Sequence, residues 1–150
     1  LVGAQLYFAD LTNADLAGVD LSNADVNTGV LAGADLTGSV MNNMNLYDTD
    51  LSRTNLTDAD LGNSYMYGAD LTGANLSGSV LSDVLYYDDV TWTDAFYYTD
   101  NEPTWRSGMD AAWRTSVGIL ALFPTISVPE PSTLLLALLG LALLPRKRRR

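Results

Sequence analysis

Large apolar residues return at every fifth position from Leu1 to Leu81 without a skipped beat, running Leu1, Leu6, Leu11, Leu16, Leu21, Val26 and onward through Met41 and Met66. Two residues before each stands a mostly small one: Ala4, Ala9, Ala14, Ala24, Ala34, Ala59, Ala69 or Ala74, with Ser39, Thr49, Thr54, Ser64 and Ser79 as variants. Asp or Asn lies between the two in most repeats. A helix repeats at 3.6 residues and a strand at 2, so neither produces an unbroken beat of five. Such internal periodicity dictates architecture ahead of any local propensity.

The segments Ala14-Asp15-Leu16, Ala34-Asp35-Leu36, Ala59-Asp60-Leu61 and Ala69-Asp70-Leu71 resemble the motif of the pentapeptide-repeat family, Ala-Asp/Asn-Leu followed by two polar residues. The resemblance implies an all-β solenoid: a right-handed quadrilateral β-helix with one pentapeptide per side. The physics of the core agrees with it. One small and one large inward residue per side fill a narrow square, and the remaining three turn the corner and face water. Four sides make about twenty residues per coil, with coils about 4.8 Å apart, so the stretch forms a rod roughly 20 Å long. Residues twenty apart then form columns, such as Leu16, Leu36, Leu56 and Leu76, or Leu11, Leu31, Leu51 and Leu71. Outward columns predict stabilising stacks. One holds Tyr7, Asn27, Tyr47, Tyr67 and Tyr87; another holds Asn23, Asn43, Asn63 and Asp83. Rod stabilisation and ligand recognition are the two roles open to the tyrosines. Met44 breaks the small-residue rule and predicts a local bulge or a displaced Met41.

Asp and Asn before the apolar residue suit tight corners, because their side chains bond nearby backbone N–H groups. Stacking also places Asp15 over Asp35 and Asp50 over Asp70, where like charges repel. Either the carboxylates splay into water or cations bridge them. Oxygen-only ligands would suit Ca2+, and no other cofactor is implied.

After Leu81 the beat falters. Asp83 to Tyr98 is rich in bulky β-formers and predicts a last, irregular coil wider than the regular ones. Asp88, Asp89, Asp94, Asp100 and Glu102 crowd this segment and form the chain's best candidate metal cluster. Trp92, Phe96, Tyr97, Tyr98 and Trp105 suit either a cap over the open core or a carbohydrate or partner patch. Ser107 to Asp110 reads as a capping box opening a short helix, with Met109, Trp113, Val117 and Leu120 on one face. That helix would cap the rod.

Composition narrows the chemistry. The 150 residues contain no cysteine and no histidine, which removes disulfides, thiolates, histidine bases and the usual zinc sites. No Ser or Thr has an evident base partner, and the chain is read as non-enzymatic. The net charge is -10, yet the repeats hold ten Asp against the single basic Arg53, so the acidity of the body is partly hidden by the C-terminal end. An acidic rod repels nucleic acid and attracts cations or basic partners.

That end reads Val128, Pro129, Glu130, Pro131, then an apolar run over 133–144, then Arg146, Lys147, Arg148, Arg149 and Arg150. A dozen apolar residues are short for an independent span, which needs about 17 to 25. The basic cluster fits retention on the cytoplasmic side. The order of Pro129-Glu130-Pro131, apolar run and terminal arginines resembles the PEP-CTERM sorting signal of exported Gram-negative bacterial proteins. The resemblance implies an exosortase-type membrane protease as partner, cleavage near the motif, and passage through the inner membrane to the cell surface or extracellular polymer layer. An extracellular polysaccharide or protein is the further partner expected there. The chain lacks an initiator Met and a recognisable N-terminal export signal, and is read as cut from something longer.

The expected organisation is a pentapeptide β-helix over 1–85, an aromatic-rich coil and capping helix over 86–123, a linker over 124–127 and the sorting signal over 128–150. The function expected is an exported surface or matrix component. The competing readings are a DNA-mimicking rod that binds DNA gyrase, as some members of the pentapeptide family do, and a tail-anchored inner-membrane scaffold.

Overall fold

The computed structural model describes residues 1–123. A turn closes every five residues in the repeats. In every corner from Leu1 to Ser79 but that of Met44, the N–H of the residue two before the next apolar position donates to the carbonyl of the apolar residue three before it, as from Ala14 to Leu11 at 3.0 Å and from Ala24 to Leu21 at 3.0 Å. The third residue of every such turn from Gly3 to Gly78 has a positive φ. Gly, Asn or Asp fills most of these positions, because left-handed backbone costs them least. Phe8, Thr28 and Arg53 hold it at φ 57°, 54° and 56° without that advantage. Where Asp or Asn precedes the apolar position, its side chain secures the next corner, as expected. Asp10 accepts from the Thr12 N–H at 3.0 Å, Asp50 from Ser52 at 2.9 Å and Asn75 from Ser77 at 3.1 Å.

Parallel bridges join each coil to the next at twenty-residue spacing, through Gln5, Asp25, Asn45, Tyr65 and Leu85 in turn. With a turn every five residues, each coil has four corners, and the result is a repeat β-helix. The ladder consists of single bridges rather than long strands. The apolar beat points inward: Leu36, Leu56 and Leu76 are fully buried, whereas Leu1 in the first coil is 59% exposed.

Met44 displaces nothing and keeps the register, but its own corner is opened: the turn bond to Met41 is replaced by a bridge through the Ser64 hydroxyl. Both Met44 and Met41 are fully buried, and Asn45 keeps twenty-residue spacing to Asp25 and to Tyr65. Its column neighbours explain this. Ala24 and Ser64 lie above and below, and an unbranched Met adapts to the room they leave. The Ser64 hydroxyl also ties the site, accepting from the Met44 N–H at 3.1 Å and donating to the Met41 carbonyl at 2.6 Å.

Beyond Leu85 the coils widen, as predicted. Bridge spacing rises to twenty-one residues between Asp70 and Thr91 and between Asn75 and Phe96. It reaches twenty-four between Val80 and Thr104 and between Phe96 and Leu120. The first extra residue is absorbed at Tyr86, φ 56°, and the 3-10 turn Tyr87–Asp89. Two short parallel pairs follow: β1 (Val80–Leu81) with β3 (Thr104–Trp105), and β2 (Phe96–Tyr98) with β4 (Leu120–Leu122). This register carries Trp92 onto the Leu71 column and Tyr97 onto the Leu76 column, and both are buried.

Helix α1 spans Ala111–Ser116 and begins later than the sequence suggests. Its N-cap is Asp110, which accepts from the Trp113 N–H at 2.8 Å. Ser107 cannot open the helix, because Gly108 at φ 99° interrupts helical backbone. Nor does Leu120 share the helix face: Gly118 at φ 88° ends the helix, and Leu120 starts β4, 45% exposed. Trp113 is the helix residue that reaches the core end, edge-on to Trp92 at 5.9 Å and to Tyr87 at 5.4 Å. The linker, the sorting motif, the apolar run and the basic cluster lie outside the described residues.

Candidate functional site: a tyrosine cleft on the acidic rod

Residues on either side of an inward apolar position both face out, by simple alternation of extended backbone. Around Leu46 and Met66 those flanking positions are Asn45 and Tyr47, and Tyr65 and Tyr67. Tyr47 stacks on Tyr67 at 5.4 Å and 11° between planes, and Tyr65 stacks on Tyr86 at 5.7 Å and 23°. With Asn45 they line a cleft of about 240 Å3. All four rings are substantially exposed, from 41% at Tyr47 to 63% at Tyr86.

The cleft corrects the expected tyrosine column. Only Tyr47 and Tyr67 of that column stack. Tyr7 is separated from them by Asn27, and its hydroxyl bonds the Gln5 side chain. Tyr87 is drawn off the column by the one-residue expansion at Tyr86, and lies against Trp113 with the Arg106 guanidinium 5.4 Å over its ring. Tyr65 and Tyr86 were not singled out from sequence. For Tyr65 the signal was present, since it sits two residues before Tyr67 across an inward Met. For Tyr86 it was not, because its place depends on the extra residue.

The amide column is also elsewhere. Asn23, Asn43 and Asn63 occupy the positive-φ turn position. Among the described residues the side-chain ladder instead follows bridged positions, where side chains stand directly opposite. Asn55 donates to Asp35 at 3.3 Å, Asn75 to Asn55 at 3.3 Å, and Asn45 to Asp25 at 3.2 Å.

Asp15 with Asp35, and Asp50 with Asp70, are bridge partners, as column stacking predicts. Each carboxylate turns to its own corner, accepting from Ala17 at 3.3 Å, Thr37 at 3.0 Å, Ser52 at 2.9 Å and Thr72 at 2.8 Å. Elsewhere Val separates the charges, as in the column Asp20, Val40, Asp60 and Val80. The Thr12 hydroxyl, and then its N–H, hold the Asp10 carboxyl below the usual range; Ser22 does the same for Asp20 and Thr37 for Asp35. These groups are therefore ionised at neutral pH.

Of the candidate metal cluster near the end of the rod, the Asp88 side chain lies outside the described residues, and Asp89, Asp94, Asp100 and Glu102 do not assemble a site. Among the described residues no three carboxylates gather around a possible cation position. Glu102 pairs with Arg114 at 3.2 Å and accepts from the Trp105 indole at 3.2 Å. Asp94 occupies a positive-φ turn position. The aromatics around these acids build the cap: Trp92 and Tyr97 are buried, Trp105 meets Tyr97 edge-on at 5.5 Å, and Arg114 lies 4.7 Å over Trp105.

Val128 to Pro131 and Arg146 to Arg150 lie outside the described residues, so their roles rest on sequence. Among the described residues no helix is long and apolar enough to cross a membrane.

Comparison with known proteins places this geometry. Pentapeptide repeats match in eight copies, over residues 1–27, 30–63 and 45–83. A PEP-CTERM protein-sorting motif matches residues 127–150. No curated protein matches the chain. Among solved structures, a pentapeptide repeat protein from the Arabidopsis thaliana thylakoid lumen is 22% identical with a TM-score of 0.69, over 79% of this chain and 80% of that one. A pentapeptide repeat protein from Nostoc is 26% identical with a TM-score of 0.49, over 75% of this chain and 84% of that one. A plasmid-mediated fluoroquinolone resistance protein is 18% identical with a TM-score of 0.45, over 87% of this chain and 64% of that one. The first is a likeness of fold, and the other two superpose too loosely to argue from. No enzyme family is indicated. With the twenty-residue coil, the five-residue corner and the repeat match in agreement, the chain belongs to the pentapeptide-repeat family and carries a PEP-CTERM sorting motif at residues 127–150.

Proposed function

We propose that the chain is a non-enzymatic, exported bacterial rod, a right-handed four-sided β-helix sent to the cell surface or extracellular layer by its C-terminal signal. The match of residues 127–150 to the sorting motif is the observation that carries this reading. Val128, Pro129, Glu130 and Pro131 present the segment that an exosortase-type membrane protease recognises. Residues 133–144 enter the inner membrane, and Arg146, Lys147, Arg148, Arg149 and Arg150 hold the end on the cytoplasmic side, where basic residues are retained. Cleavage near the motif then frees the rod. Its many solvent-facing carboxylates make a negative surface that favours basic partners over nucleic acid. A DNA-mimicking role on gyrase would need the rod in the compartment that the signal leaves.

The test is the mass of the mature protein from its native host, with cell fractionation. A product ending near Pro129 to Pro131 and found outside the inner membrane is the expected result. An uncut chain held in the inner membrane overturns it in favour of a tail-anchored scaffold.

A further inference from the structure

We infer that the cleft between Tyr47, Tyr65, Tyr67 and Tyr86 binds an arginine side chain of a basic peptide partner. This deepens the reading of an acidic exported rod by naming the chemistry of what it meets, although binding at the cleft does not depend on export.

Three observations converge. The first is a vacancy in the ladder. Asn45 is the bridge partner of Tyr65, one coil away, and stands where a further tyrosine would continue the stack. The short amide leaves space beside Tyr47 next to the Tyr65 ring, within a cleft of about 240 Å3. Pockets for drug-sized ligands start at about 300 Å3, so this one suits a single planar group.

The second is charge. Aromatic faces are electronegative and attract cations, arginine most often. Asp25 accepts from the Asn45 amide at 3.2 Å, which sets a carboxylate behind the lining. Asp48 follows Tyr47, and its carboxylate leans over Gly68, the residue after Tyr67. Arg53 is the sole basic residue of the repeats. A cation entering the cleft meets attraction from both the rings and the rod.

The third is precedent within the molecule. In the cap, the Arg114 guanidinium lies 4.7 Å over Trp105 and 5.9 Å over Tyr97, with Glu102 at 3.2 Å. The cleft offers ring faces as the cap does, here in two stacked pairs, with its carboxylates, Asp25 and Asp48, standing just outside the lining rather than in it. Arginine suits it better than lysine, because a planar, weakly hydrated fork stacks on a ring and a compact ammonium does not.

The experiment is a titration of the full-length chain with a labelled oligoarginine peptide, followed by fluorescence anisotropy. Arg146, Lys147, Arg148, Arg149 and Arg150 are replaced by Gln so that the chain's own cations do not compete. An oligolysine peptide of equal length and a neutral glucan oligosaccharide are the comparators. The arginine peptide should bind several-fold more tightly than the lysine peptide. Tyr65→Ala should weaken it by roughly three- to tenfold, Tyr65→Phe should leave it within about twofold because the ring face is kept, and Tyr98→Ala, outside the cleft, should not change it. Equal affinity for both peptides, unmoved by Tyr65→Ala, would reduce the effect to general acidity and overturn the proposal. So would tight binding of the glucan that is lost in Tyr65→Phe, since that pattern marks a site reading hydroxyl groups. Unchanged binding in a chain that proves to be retained in the inner membrane would remove the export reading and leave the cleft assignment standing.

Discussion

Between Leu16 and Leu81 the rod fills its core with one large and one mostly small side chain per corner, Met44 being the large exception, and every coil takes twenty residues. Past Leu85 the same columns are filled by Trp92 and Tyr97, and the coils take twenty-one and then twenty-four. In the first region each layer resembles the next, and stabilisation is spread evenly. In the second it is concentrated in ring-on-ring contacts, two guanidinium groups and one helix. The contrast teaches how a solenoid stops. Rings on the core columns are too wide for a twenty-residue coil, so backbone must be added. The added backbone includes α1, which lays Trp113 against the exposed end of the column.

Substitutions in the two regions should therefore differ in reach more than in size. Trp92→Ala removes a buried ring and should cost about 3–5 kcal/mol. Its loss of hydrogen-exchange protection should reach no further back than the neighbouring coil that holds Leu71, because coils contact only their neighbours. Leu56→Ala should cost about 2–5 kcal/mol and should expose coils on both sides of the gap. If Trp92→Ala loosened Leu36 as much as Thr104, the distinction between rod and cap would fail. Gly33→Ala places a side chain at φ 69° against the Asn13 side-chain oxygen. It should cost roughly 1–2 kcal/mol by urea unfolding.

Ser39 and Ser79 share a column and sharpen the comparison within the rod. The Ser39 hydroxyl is buried without a partner, while that of Ser79 donates to the Leu76 carbonyl at 2.8 Å. Ser39→Ala should stabilise the fold by about 1 kcal/mol, and Ser79→Ala should destabilise it by a similar amount. The smallest effect is that of acid on the corners. Asp10, Asp20 and Asp35 have carboxyls lowered by their Thr or Ser partners. Their contribution is complete above the unfolded value of about 3.9 and fades as pH falls through the lower folded values. Urea midpoints should therefore decline below about pH 4, and an Asp10→Asn variant should show a shallower decline.

Much of this architecture was readable in advance because a narrow core tolerates few choices. A large residue every five positions and a small one two before it agree with the four-cornered coil that the family resemblance implies. The corner role of Asp and Asn follows from side-chain length alone. What escaped was set by neighbours twenty residues away or by single insertions. Met44 looked too large until Ala24 and Ser64 were placed on either side of it. Tyr87 counted as part of a column until one extra residue at Tyr86 turned it under α1. The choice between Ser107 and Asp110 as helix cap hinged on the backbone of Gly108, which sequence alone does not report. The tyrosine cleft was half visible: its Tyr47 and Tyr67 wall followed from the twenty-residue period, and its Tyr65 and Tyr86 wall did not.

The twenty-residue ladder also quantises the length of the molecule. Removing Leu31–Asp50 would excise one full circuit and leave every remaining column in phase. Removing a single pentapeptide between Tyr47 and Tyr65 would keep the apolar beat but rotate everything downstream by one side, separating Tyr65 from Asn45 and Tyr47. Such a protein can lengthen or shorten by duplicating or losing whole circuits while its aromatic terminus is inherited intact, although the circuit from Leu31 to Asp50 takes Asn45 and Tyr47 of the cleft with it.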